Sequence, residues 1–242
     1  MATTDADSSR TPQQARRARK EAEPGAPAPT YRRGPLKAAW YWLTSTAIWI
    51  TAKLLYRLRY EGADKVPMEG PLVLLGNHTS HFDPPLVGGS LRRQLSYLAR
   101  DTLFVGPLGW LIRSYDAVPV DRDGSGIAGI KATLKRLKQG GAMLLFPEGT
   151  RSDDGEMKAF KPGFVSLVRR AQATIQPIGF DGPYGVWPKG AKRPRLFGKI
   201  AIHYGKQIPY AEVAGLSDDE LVELARDRVA ECVARARELN RI

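Results

Sequence analysis

The sequence predicts an α/β fold, a single domain in which a mostly parallel or mixed sheet is flanked by helices. Three observations carry this expectation. From Tyr60 onward, short apolar runs bounded by turn residues alternate with stretches of helical periodicity, the pattern that covers both faces of a sheet with helices. One run, Ala142 to Phe146, is apolar throughout, as a central strand buried on both faces must be. The last helix is marked by Ser217-Asp218-Asp219-Glu220, a capping box in which Leu216 can staple to Leu221.

Length and composition fit this class. The chain has 242 residues, 43% of them hydrophobic, enough for one full-sized domain with a buried core. Its single cysteine, Cys232, excludes an intrachain disulfide framework and a cysteine metal cluster, and reads as a packing residue of the last helix. The formal net charge of +12 favours polyanionic partners, whether nucleic acid, anionic lipid or phosphorylated small molecules.

Residues 1–33 are rich in Ala, Pro, Ser, Thr and charge and read as a disordered tail whose basic run, Arg16 to Lys20, could touch anionic lipid. No secretory signal is visible, because the first apolar stretch starts only near Pro35. Residues 34–60 form the next unit. Fifteen uncharged residues separate Lys37 from Lys53, fewer than the roughly 20 a spanning helix needs. Trp40, Tyr41, Trp42 and Trp49 prefer the headgroup zone, and Lys53, Arg57 and Arg59 follow. This predicts an amphipathic aromatic and basic helix that lies in a membrane surface; a core helix packed on its own domain is the competing reading.

Residues 61–242 form the main domain. Leu72 to Leu75 is a predicted strand, after which Gly76 allows a sharp turn. Asp83 before Pro84 and Pro85 predicts a helix start, with Asp83 as the cap, running to Leu91. Gln94 to Ala99 is a strand, Leu103 to Arg113 a helix despite Gly106-Pro107, and Asp116 to Val120 a strand. Ile127, Ile130, Leu134 and Leu137 recur at helical spacing with Lys131, Lys135 and Lys138 on the other side, until Gly140-Gly141 stop the helix. After the Ala142 run come a helix from Phe164 to Ala173 and strands from Thr174 to Gly179 and Lys199 to Tyr204.

Two loops carry chemistry. Asn77-His78-Thr79-Ser80-His81-Phe82-Asp83 lies between a strand and a helix, where α/β folds concentrate functional residues. His78 and Asp83 are five positions apart, which does not pair them on a helix but lets them meet in a loop. A carboxylate that accepts the imidazole Nδ1 proton fixes the tautomer and leaves Nε2 as a base. The second loop, Phe146-Pro147-Glu148-Gly149-Thr150-Arg151-Ser152, follows the central strand. Its hydroxyls and guanidinium suit phosphate oxygens, and Glu148 could meet substrate hydroxyls or orient Arg151.

Two rivals stand beside a catalytic reading. His78, His81 and Asp83 place three possible metal ligands in six residues, as in a metal-dependent hydrolase, yet His203 is the only other histidine. A non-enzymatic binder of membrane or nucleic acid fits the charge, but the basic residues are scattered and lack the aromatic-basic strand pattern of an RNA-binding sheet.

The two loops together resemble the glycerolipid acyltransferases, most closely the 1-acylglycerol-3-phosphate acyltransferase branch, over roughly Tyr60 to Tyr210. Weaker blocks fall in the same order: Ala99 to Phe104, Val118 to Arg122, Phe160 to Gly163 and Ile175 to Ile178. Arg100 stands where the family usually has lysine, and the block ending in Arg122 lacks its usual bulky pair. The resemblance implies transfer of a fatty acyl group from acyl-CoA or acyl carrier protein to the hydroxyl of a lysophospholipid, giving phosphatidic acid from 1-acylglycerol 3-phosphate. Other lysolipid or amino-lipid acceptors occur in the superfamily. His78 would be the base and Asp83 its orienting partner. Arg100, Arg122 and Arg151 would hold the acceptor phosphate, while Glu148, Gly149 and Thr150 shape the glycerol pocket. No metal or other cofactor is expected, and no nucleic acid. The expected setting is the anionic, cytoplasmic face of a membrane, with the chain peripheral or monotopic.

Overall fold

The computed structural model describes residue 31 and residues 33–120 and 127–242. It contains a seven-stranded sheet built from β1 (Arg59–Glu61), β2 (Leu72–Gly76), β3 (Leu95–Arg100), β4 (Val118–Val120), β5 (Ala142–Leu145), β6 (Thr174–Asp181) and β7 (Ala201–Tyr204), in the order β1-β7-β6-β2-β5-β3-β4. Strands β2 to β6 run parallel. Strand β7 is antiparallel to β6, and β1 is parallel to β7. The predicted α/β class therefore holds, with a mixed, mostly parallel sheet. Strand β1 falls inside a stretch that the sequence pattern assigned to a helix; a strand of three residues carries no readable periodicity.

Eight helices are found among the described residues: α1 (Pro35–Tyr56), α2 (Asp83–Ser90), α3 (Gly106–Ser114), α4 (Ile127–Lys138), α5 (Val165–Ala171), α6 (Pro183–Val186), α7 (Tyr210–Val213) and α8 (Asp218–Arg241). Alternate residues of β2 sort them onto two faces. Val73 and Leu75 join a core with Leu134 and Leu137 of α4, Val165 and Val168 of α5, and Leu221, Val229 and Val233 of α8. Leu72 and Leu74 join a second core with Ala52 and Tyr56 of α1 and Leu86 and Val87 of α2. Glycine makes the first face possible where α8 crosses β6, because a Cβ on Gly179 would come within 2.1 Å of the Cys232 backbone. The capping box of α8 forms as the sequence predicts, with Ser217 Oγ accepting from the Glu220 amide and Glu220 accepting from the Ser217 amide.

Helix α1 departs from the amphipathic expectation. It packs on the domain through Tyr41, Ser45, Ala52 and Tyr56, all buried. Its tryptophans divide: Trp40 lies edge-on to Trp110 and donates to Ser114, Trp49 is half-buried, and Trp42 is exposed by 37%. The outer face is mainly aliphatic, with Leu36, Leu43, Ile50 and Leu54 exposed by 86, 66, 45 and 74%. The helix is thus apolar on both flanks. No described helix is long and apolar enough to cross a membrane. The boundary before it also shifts. Arg33, assigned to the tail by its composition, is buried and pairs with Asp116 at 2.7 Å while donating to the carbonyls of Leu95 and Tyr115. Arg16 to Lys20 lie outside the described residues.

Candidate active site

Parallel strands end at one edge of a sheet, and the loops that leave this edge are neighbours when their strands pair. Strands β2 and β5 pair directly, Leu75 against Leu145, so the two motif loops meet. Within the first, His78 Nδ1 lies 2.9 Å from Asp83 Oδ2. The Asp83 carboxylate is fully buried and also accepts from the backbone amides of Thr79 at 2.7 Å and Ser80 at 2.8 Å. A carboxylate held by backbone donors is fixed before any ligand arrives, so it can orient the ring and balance an imidazolium. Asp83 is not the helix cap the sequence suggested. It is the first residue of α2 with Phe82 at the cap position, and its side chain turns back into the loop.

Gly76 likewise has a different reason from the expected turn. It is the last residue of β2, paired with Ile178, and a Cβ there would lie 2.9 Å from the Phe180 ring. The loop then leaves the sheet under the control of Asn77, whose side chain accepts from the Phe180 amide at 2.8 Å and donates to the Phe180 carbonyl at 3.1 Å. Ser80 donates to the Trp187 carbonyl at 2.8 Å.

The second loop braces the first. Glu148 is buried, and its two carboxylate oxygens accept from the amides of His78 at 2.8 Å and Lys158 at 3.1 Å. The Ser152 amide donates to the His78 carbonyl at 2.7 Å. Burial pushes the Glu148 carboxyl up to about 7, against the opposing pull of those two amides. Glu148 is therefore a brace of the histidine loop. Gly149 turns the chain at φ +74°, a conformation L side chains rarely adopt. Phe146 stacks on the His78 ring with centroids 3.9 Å apart and planes 13° from parallel. The sequence reading missed this contact, as it missed Asn77, because both act through distant partners.

The cations distribute unevenly. Arg151 is half-buried and interacts electrostatically with Asp83 and His81, which places it beside the dyad. Among the described residues its Nη1 is buried with no hydrogen-bond partner. Arg100 ends β3, whose partner is β5, so it shares the edge of the sheet with the two loops and is exposed. Arg122 lies outside the described residues. Thr150 is half-buried beside Gly149. His81 is exposed with its ring 4.9 Å from that of Trp187. Partial desolvation against its packed neighbours first, then the nearby Arg151 and His78, hold His81 below the usual imidazole range although much of the residue meets solvent. Among the described residues, no three His, Cys, Asp or Glu side chains converge as a metal site.

Two concavities border the first loop, one at Thr79 and one at Phe82. A polar one of about 310 Å³ is bordered by Thr79, Asp154, Glu156, Asp181, Tyr184 and Arg237. An apolar groove of about 230 Å³ runs between α1 and α2, lined by Ala47, Ile48, Thr51, Tyr56, Phe82 and Leu86. Phe82 belongs to the histidine loop, so one wall of this groove comes from that loop.

Comparison with known proteins converges on the same region. The chain is 28% identical over 180 residues to the chloroplastic 1-acyl-sn-glycerol-3-phosphate acyltransferase LPAT1 of Arabidopsis thaliana, covering 73% of this chain and 49% of that one. It is 34% identical over 157 residues to a 1-acyl-sn-glycerol-3-phosphate acyltransferase of Pseudomonas aeruginosa, covering 61% of this chain and 59% of that one. The chain thus spans about half the length of the curated relatives it matches. In three dimensions it shares its fold with the 1-acyl-sn-glycerophosphate acyltransferase PlsC from Thermotoga maritima, at a TM-score of 0.70 and 24% identity over 84% of this chain and 83% of that one. The Acyltransferase family model matches residues 57–181, just over half of the sequence and the span that holds both motif loops, and the chain belongs to that family.

Proposed function

We propose that the chain moves a fatty acyl group from an acyl thioester, acyl-CoA or acyl carrier protein, to the free hydroxyl of 1-acylglycerol 3-phosphate, giving phosphatidic acid. The observation that carries this reading is the preassembled pair of His78 and the buried Asp83. The names of the relatives support the choice of acceptor.

With Nδ1 engaged by Asp83, Nε2 of His78 takes the hydroxyl proton as the oxygen attacks the thioester carbonyl. The tetrahedral intermediate collapses, the thiolate leaves, and the imidazolium returns the proton. A positioned base of this kind contributes roughly a hundred- to ten-thousandfold. The acceptor hydroxyl does what serine does in a triad, so no enzyme nucleophile is required. The scheme calls on no metal or other cofactor, because a thiolate leaves readily.

Arg151, half-buried beside the dyad, binds the acceptor phosphate through its guanidinium, with Arg100 and Arg122 completing the cationic cradle. Gly149 and Thr150 shape the space for the glycerol. The apolar groove between α1 and α2 takes the acyl chain. The aliphatic outer face of α1 rests on the bilayer that supplies the lipids.

The test is an acceptor panel with labelled acyl-CoA and acyl carrier protein, run on the wild type beside His78→Ala. Transfer to lysophosphatidic acid that disappears in the variant is the expected result. Undiminished turnover in His78→Ala overturns the mechanism, and transfer only to an acceptor without a phosphate monoester overturns the choice of substrate.

A further inference from the structure

The segment from Trp187 to Ile200, between α6 and β7, contains Lys189, Lys192, Arg193, Arg195 and Lys199 and no acidic residue. At its centre Leu196 and Phe197 are 65 and 66% exposed. These two side chains have not simply strayed from the core, because the backbone on either side of them is tied down. The Arg195 amide donates to the Val186 carbonyl at 2.9 Å, and the Tyr56 hydroxyl donates to the Arg195 carbonyl at 3.1 Å. The Gly198 amide donates to the Leu55 carbonyl at 3.3 Å, and the Ile200 amide to that of Tyr56 at 3.0 Å. The loop is thereby clamped to the last turn of α1, next to the exposed Leu54. Lys192, Arg193, Arg195 and Lys199 are exposed and form no ion pair among the described residues, whereas Lys189 pairs with Asp153.

We infer that Leu196 and Phe197 form a second membrane-inserting element, a wedge that enters an anionic leaflet while the surrounding cations bind its headgroups. The occupant follows from complementarity. Two large apolar side chains on an anchored tip, within a run of five cations, match a surface that is apolar inside and negative outside. The wedge continues the apolar stripe of α1 beyond its C-terminal end, so the pair gives two separated points of attachment and fixes the tilt of the domain on the bilayer. This inference builds on the reading of α1 as a membrane helix, and the experiment separates the two.

Full-length protein is sedimented with vesicles of phosphatidylcholine and phosphatidylglycerol. Leu196→Ser combined with Phe197→Ser is expected to weaken vesicle binding about tenfold or more, while acyl transfer in detergent micelles stays within about twofold of wild type. A second variant, Leu43→Ser with Leu54→Ser, tests α1 alone. Wild-type binding by the loop variant overturns the wedge whatever α1 does; wild-type binding by the helix variant, with binding lost in the loop variant, removes α1 and keeps the wedge. A fluorophore on Phe197→Cys gives an independent readout, since the native Cys232 is only 2% exposed. Its emission is expected to shift to the blue on anionic vesicles, and no shift overturns the wedge. Intact vesicle binding in the loop variant, with turnover lost only for acyl carrier protein donors, would assign the loop to a protein partner instead.

Discussion

The loops after β2 and β5 are neighbours, yet they are built to different ends. In the first, the carboxylate of Asp83 gathers the His78 ring, the amides of Thr79 and Ser80 and, at 3.5 Å, the Thr79 hydroxyl, and the imidazole of His78 is left with one nitrogen uncommitted among the described residues. In the second, the carboxylate of Glu148 accepts from two backbone amides, one on each oxygen, and a buried guanidinium nitrogen of Arg151 has no hydrogen-bond partner among the described residues. In the proposed reaction the first loop moves the proton, while the second holds the first in place and receives the phosphate. The same residue type, a buried carboxylate, serves a reacting group in one case and only the main chain in the other.

This contrast can be broken by where the kinetic losses fall. Replacing His78 by Ala should lower kcat by about ten-thousandfold with the fold retained by circular dichroism. Asp83→Asn should lower kcat by about a hundred- to a thousandfold, because the amide can stabilise the wrong tautomer and no longer balances the imidazolium. Arg151→Ala should instead raise the KM for the acceptor about ten- to a hundredfold and leave kcat nearly unchanged. An unchanged KM, or a loss confined to kcat, would erase the division of labour between the loops.

Smaller effects sharpen it. Glu148 keeps its proton up to about pH 7 in the folded chain but loses it near the ordinary glutamate value when unfolded. Between those values the folded state binds more protons, so stability must fall as pH rises through that window. Glu148→Gln should flatten this slope, seen as a drop in Tm of a few degrees that the variant lacks. Last, Ala47→Trp should narrow the apolar groove and shift donor preference toward shorter chains, with the turnover of short donors kept.

What the sequence made legible follows from the range of the signal. The strand from Ala142, the helix spacing from Ile127 and the capping box at Ser217 are local patterns, and each element appears in the structure where it was expected. The meeting of His78 with Asp83 was legible because a loop only six residues long holds both. The bracing role of Glu148 was not legible because its partner, the His78 amide, is 70 positions away and leaves no mark on the local pattern. Gly76 was misread for the same reason, since its constraint is the Phe180 ring on another strand. The tryptophans of α1 were read as an outer belt because composition alone cannot tell which flank of a helix a neighbour such as Trp110 will cover.

The two-sidedness of α1 has a practical consequence. A hydrophobic leading helix is commonly treated as a detachable tether, to be trimmed away when a freely dissolving catalytic unit is wanted. Here the inner flank roofs Leu72, Leu74 and Leu86 through Ala52 and Tyr56. A chain that begins after Tyr56 would therefore lose the proposed lipid contact and its upper core in one cut, and is expected to aggregate instead of dissolving. Polar replacement of Leu36, Leu43, Ile50 and Leu54 alone is the route that keeps the roof.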